Sequence, residues 1–197
     1  MNKYLTLLIC PVLLSGCGRD PPLLNHQITT EKVGVRESIT PEIQWASTTQ
    51  AVVVDDILVQ VLDVSIGKVE WGRILLGPTL SDNKLLTVKL LIQNNSKTKI
   101  VRYTKWGGDL IPVEQKPTVL DNYNNRYYVE RMGDCIVGGM KFSSDTIYPG
   151  KSVTDVVAFE PLVENITELK LELPAGAFNG KGSIRFKIPM SAVVLKR

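Results

Sequence analysis

Apolar side chains recur at every second position through much of this chain, and that period constrains the fold more than any other feature. "LLTVKLLIQN" sets Leu86, Val88, Leu90 and Ile92 on one face, with Thr87, Lys89 and Gln93 on the other. "LKLELP" places Leu169, Leu171 and Leu173 inward against Lys170 and Glu172. "SIRFKIP" repeats the pattern with Ile184, Phe186 and Ile188 against Arg185 and Lys187. A period of two is that of a half-buried strand, whose successive side chains point to opposite faces. Further strands are predicted over 51–66, 99–104, 117–120, 126–131 and 152–159, and no part of the body sustains a helical period over three turns.

The connections agree. "LDNYNNRYY" puts Asp121-Asn122 and Asn124-Asn125 between two strand-like runs, residues that tolerate the left-handed geometry of a hairpin. Pro149-Gly150 in "YPGKS" is the pair a type II turn requires, directly before the strand at Val153. "LPAGAFNGKG" predicts a glycine-rich connection containing one helical turn. Short antiparallel strands in this number predict an all-β body built as a two-layer β-sandwich, with a closed barrel as the alternative.

The amino terminus has a different character. Residues 1–16, MNKYLTLLICPVLLSG, begin with Lys3, continue through an apolar stretch from Tyr4 to Leu14 and end in small residues, the layout of a secretory signal. That stretch is shorter than the roughly 20 residues a spanning helix needs, and Pro11 interrupts it. Leu14-Ser15-Gly16-Cys17 resembles the lipobox of bacterial lipoproteins, in which cleavage between Gly16 and Cys17 leaves the cysteine as an acylated amino terminus. The resemblance implies a membrane partner held through acyl chains, each buried methylene contributing about 0.8 kcal/mol. Residue 18 is Gly18 rather than the aspartate that resembles an inner-membrane retention signal, so in a Gram-negative envelope the outer membrane is expected. Residues 17–50 read as a lipidated cysteine and a flexible tether, with prolines at 21, 22 and 41; Ile43 and Trp45 near its end are placed to dock on the body, with a short strand there. The body is then 51–197.

In sequence order, "LLTVKLLIQNNSKTKI", "YTKW", "LDNYNNRYYV", "YPGKSVTDVVAFEPL" and "LKLELP" resemble a family of secreted immunoglobulin-like β-sandwiches. These are uncharacterised bacterial lipoproteins grouped with a mycobacterial immunoprotective extracellular antigen. The resemblance covers about residues 55–190 and implies an immunoglobulin-like fold and an envelope location, with no catalytic residues to carry over. The chain departs from the family's simplest pattern in the excursion "IGKVEWGRILLGPTLSDNK" and the loop "ERMGDCIVGGM".

Chemistry-bearing residues are sparse. The net charge of +3 falls to +2 once Lys3 leaves with the leader, and no basic stripe suggests nucleic acid. His26, the one histidine, lies in the tether, which removes a histidine-based triad or zinc site from the body. With Cys10 discarded and Cys17 acylated, Cys135 is left as a lone thiol expected to behave as a small hydrophobe. Ser65 to Lys68 and Ser81 to Lys84 both match Ser-x-x-Lys, a fragment of the penicillin-binding signature. On a strand that spacing points the two side chains to opposite faces, so no acylating serine is expected.

Asp55-Asp56, Asp121 with its asparagines, and Asp134 are read as turn residues, with a calcium site as the alternative. Trp71, Trp106 and Tyr103 form a candidate ligand surface for a sugar ring or peptide, with core packing the competing reading for Trp106. These residues together predict a lipid-anchored cell-envelope protein that is not an enzyme, needs no cofactor and acts as a protein-binding or structural module. The alternatives are a carbohydrate- or peptidoglycan-binding module and an envelope hydrolase with an unusual carboxylate mechanism.

Overall fold

The computed structural model describes residues 44–73, 77–108, 112, 115–130, 136–137 and 144–196. The expectations for Gly16, Cys17, the tether up to residue 43 with His26 and Ile43, Asp134 and Cys135 all fall outside these. The described chain is all-β, with short 3-10 turns that include Ala175–Phe178 and Met190–Ala192, and no α-helix among the described residues.

In chain order the strands are β1 (Ala46–Ser47), β2 (Ala51–Val54), β3 (Ile57–Gly67), β4 (Glu70–Arg73), β5 (Gly77–Leu80), β6 (Leu85–Asn94) and β7 (Val101–Thr104). There follow β8 (Thr118–Asp121), β9 (Arg126–Tyr128), β10 (Ile136–Val137), β11 (Ser144–Ile147) and β12 (Ser152–Phe159). The last three are β13 (Glu168–Pro174), β14 (Ser183–Pro189) and β15 (Val194–Leu195).

Two five-stranded sheets dominate. One has the order β1-β14-β13-β8-β9; the other runs β12-β6-β3-β15, with β2 also paired to β3. A single apolar core draws on both. Val59, Val88, Leu90, Ile92 and Val157 come from one sheet, and Val119, Leu169, Leu171, Ile184 and Phe186 from the other. The period-two arithmetic is thus met on β6, β13 and β14: every residue assigned inward is buried. The long ladders are antiparallel, as expected. The exceptions are β1 on β14 and β15 on β3, two-residue parallel pairings at the ends of the described chain.

The expected single strand over 51–66 is two. Asp55 and Asp56 both adopt positive φ (49° and 67°), turning β2 back on β3 in a hairpin. A short polar side chain tolerates that geometry where a β-branched one does not. The Pro149-Gly150 turn is as expected: Gly150 has φ 70°, and the Lys151 N–H donates to the Tyr148 carbonyl at 3.0 Å. The connection after β13 holds one 3-10 turn, Ala175–Phe178. The 67–84 excursion forms β4 and β5, which join β10 in a small sheet of their own. A satellite apolar cluster of Val69, Leu85, Ala158 and Val156 links the start of this excursion to the outer side of β6 and β12.

Depth in the core sets the energetic scale. Phe186→Ala is expected to cost about 3–5 kcal/mol in urea unfolding. Lys187→Ala, one residue on, loses only the exposed pair with Glu168 (2.8 Å) and is expected to cost about 1 kcal/mol or less.

Candidate functional site

Tyr103 and Trp106 sit at and just beyond the end of β7, and both are completely buried. The reason lies on β12. Asp155 shares the inward phase of Val157 and Phe159, so an acid enters the core. Its Oδ2 accepts the Tyr103 hydroxyl at 2.6 Å and the Trp106 backbone N–H at 2.8 Å; its Oδ1 accepts the Val156 N–H at 2.9 Å. The Trp106 indole N–H donates to the Pro174 carbonyl at 3.0 Å, and its ring meets Tyr103 (5.3 Å between centroids) and Phe178 (6.3 Å) edge-on. Burial pushes the Asp155 carboxyl above its ordinary value, opposed by the Tyr103 and Trp106 hydrogen bonds and by the nearby Lys105 ammonium. Burial likewise raises the Tyr103 phenol well above its ordinary value, with the Asp155 charge adding to it.

The candidate ligand surface therefore loses two of its three members. The apolar bodies of Tyr103 and Trp106 are packed between the sheets and their polar tips are satisfied internally, which leaves no ring face for a ligand. Trp71 lies apart from them on β4, half-buried, with Thr79 and Val137 as its strand partners.

The acids of the hairpin also have a local account. Asp121 Oδ1 accepts the N–H groups of Tyr123 (2.8 Å) and Asn125 (2.9 Å). Its Oδ2 accepts the Asn125 amide (2.9 Å) and the Tyr127 hydroxyl (2.8 Å). Four donors saturate the carboxylate. Burial alone would raise its carboxyl, but these hydrogen bonds outweigh it and the net shift is downward. Among the described residues no three His, Cys, Asp or Glu side chains cluster as metal ligands would. Both serines of the Ser-x-x-Lys matches are committed elsewhere. Ser65 Oγ bonds the Thr87 hydroxyl at 2.9 Å, and Ser81 Oγ accepts the Val69 N–H at 3.0 Å while donating to the Asn83 carbonyl at 2.6 Å.

Two surface features remain, and both are built on β3. The first is its edge. β2 covers that edge as far as Gln60 and β15 resumes at Ser65, so the stretch between, with a bulge between Val61 and Asp63, has no strand partner on that side among the described residues and is flanked by Thr48, Thr49 and Ala192. Leu62 there is 46% exposed, and on β15 Val194 is 52% and Leu195 75% exposed. By contrast the free edge of β12 is closed. The Glu130 N–H donates to the Ala158 carbonyl at 2.8 Å, and Gly107 lies so close to the Val156 carbonyl that a Cβ would stand 2.6 Å from the oxygen.

The second feature is a groove of about 390 Å³ on the outer face of the same sheet. Thr87, Lys89 and Val156 belong to its floor strands, the turn Gly67–Glu70 forms one wall, and Lys196 closes it beside Asp63. Lys196 Nζ pairs with Asp63 Oδ2 at 3.2 Å. The sequence marks Lys89 as outward-facing, but nothing in it announces that Asp63 and Lys196 meet.

No family model matches this sequence, and no curated protein matches it. Among solved structures the chain is similar to the yjhA protein of Bacillus subtilis, with a TM-score of 0.49 and 12% identity over 77% of this chain and 99% of that one. It is also similar to the "putative lipoprotein (ycdA)" of Bacillus subtilis, with a TM-score of 0.43 and 17% identity over 73% of this chain; the match spans 39% of that protein's length. Both scores fall below 0.5.

The Asp121 network carries a sign that can be checked. A carboxyl held below its unfolded value contributes stability above about pH 4, and loses it as pH falls through the lowered folded value. Asp121→Asn is expected to lower stability by about 1–2 kcal/mol at neutral pH. It should also flatten the acid limb of the stability profile, measured by urea unfolding across that range. Asp155 acts in the opposite sense: its raised carboxyl loses stability as pH climbs from the ordinary carboxylate value through the folded one.

Proposed function

We propose that this chain is a lipid-anchored cell-envelope protein whose immunoglobulin-like β-sandwich binds a protein partner without catalysing a reaction. The anchor is the Cys17 thiol, acylated after cleavage behind Gly16, and the segment up to the first strand is the spacer. Two sheets on one core, with a tryptophan buried between them, support the immunoglobulin-like reading.

The observation that carries the binding role is the edge of β3. Leu62, Val194 and Leu195 leave apolar side chains in water along one sheet edge, beside strand positions that neither β2 nor β15 covers. Exposed apolar surface beside a strand segment that has no ladder partner on that side among the described residues marks a place where another chain packs. The bulge at Leu62 interrupts the edge, so contact through side chains is favoured over extension of the ladder.

Cys17→Ser is expected to abolish palmitate labelling and release the protein from membranes; membrane retention without label would defeat the anchor. Cross-linking of the full chain in intact cells tests the second half. Leu62→Glu should reduce the cross-linked partner by about tenfold with unchanged thermal unfolding, the size of effect expected at the centre of an interface. Equal recovery from the variant would remove β3's edge as the binding surface.

A further inference from the structure

The groove on the outer face has an electrostatic arrangement that its own residues do not complete. Asp63 on β3 and Lys89 on β6 are directly opposed in the antiparallel register, where an acid and a base ordinarily pair. They do not pair here. Asp63 Oδ2 instead takes the Lys196 ammonium at 3.2 Å and the Ser65 hydroxyl at 3.3 Å. Lys89 and, on the wall, Lys68 are exposed and have no ion-pair partner among the described residues. The groove thus holds three ammonium groups against two carboxylates, Asp63 and Glu70, one of them already engaged.

Lys196 reaches this position through a close approach of backbone. Its N–H donates to the Ile66 carbonyl at 2.8 Å, and a Cβ on Gly67 would stand 2.7 Å from the Lys196 Cβ. Glycine at 67 is what lets the carboxyl-terminal strand deliver the competing cation. Val69 in the turn wall and Val156 on the floor, members of the satellite apolar cluster, supply nonpolar surface. The volume, about 390 Å³, lies in the range of small-molecule sites, about 300–1,000 Å³.

We infer that this groove binds a small organic oxyanion, a phosphate ester or a sugar carboxylate, whose charge bridges Lys89 and Lys68 while its body lies against Val69 and Val156. The Lys196–Asp63 pair is the positioning element: by holding Asp63 it keeps Lys89 available. This ligand site is separate from the β3 edge, and partner capture through Leu62 stands or falls independently of it.

The test is an NMR titration of the full chain in neutral detergent. Glycerol 3-phosphate and glucuronate are the probes, each set against its neutral parent, glycerol or glucose. At least one anion is expected to shift the amide signals of Lys68, Thr87 and Lys89, with neither neutral parent doing so; which anion acts identifies the oxyanion. Lys89→Ala should weaken binding by about tenfold, the loss of a charge-assisted hydrogen bond, and Lys89→Arg should restore most of it.

Two further variants move binding in opposite directions. Asp63→Asn removes the competing carboxylate and should tighten binding by about two- to fivefold. Lys196→Met frees Asp63 to pair with Lys89 and should weaken it by a similar factor. Lys89 and Lys196 are exposed, so thermal unfolding of their variants should match the parent's. The inference is overturned if neither anion shifts these signals, if the neutral parents shift them equally, if Lys89→Ala binds as well as the parent, or if Asp63→Asn weakens binding.

Discussion

An acid inside the core is tolerated only if its oxygens are given donors, and Asp155 organises this protein because the hydrogen-bond network built on it joins three separate segments. β12 supplies the carboxylate, the end of β7 supplies the Tyr103 hydroxyl and the Trp106 N–H, and Trp106 in turn reaches Pro174 at the close of β13. These bonds connect the two principal sheets through polar contacts of fixed direction, whereas the apolar core alone would tolerate sliding. Removal of any one donor leaves a buried carboxyl oxygen short of a partner, a larger penalty than loss of the bond itself. Nearby, the Lys105–Asp145 pair (3.2 Å) ties the residue after β7 to its neighbour β11.

β3 is the second organising element. At eleven residues it is longer than either strand that covers its outer edge, and its bulge resets the register against β6. Its length makes it a shared scaffold: β6 on one side, β2 and then β15 on the other, and the excursion leaving from its end at Gly67. The edge at Leu62 and the groove at Asp63 are neighbouring products of that one strand, one at its margin and the other on its outer face.

Much of this was readable in the residues, for physical reasons that differ from place to place. Period-two alternation in 86–92, 169–173 and 184–188 identified the inward faces because one-sided burial admits no other phase. The same rule places Asp155 inward, in phase with Val153, Val157 and Phe159, but an acid there reads as an irregularity until its donors are known. Asp55-Asp56 was legible as a turn in an otherwise strand-like run, yet the apolar residues on both sides concealed that two strands were present. Tyr103 and Trp106 illustrate a limit of composition: an aromatic with a polar tip suits a ligand platform or a core equally, and only the position of Asp155 and Pro174 decides. The groove was illegible for a simpler reason. The Asp63–Lys196 contact joins residues 133 positions apart, and no local pattern encodes a meeting of that kind.

The amino-terminal strand, finally, has a mechanical consequence. Ala46–Ser47 holds to β14 at two ladder positions only, steadied by Trp45 with the Lys170 ammonium 6.0 Å above its ring. Tension applied from the amino-terminal side falls on this short attachment before it reaches the four-residue β2–β3 ladder. The first yielding event under load is therefore the peeling of a margin, with the principal ladders still zipped.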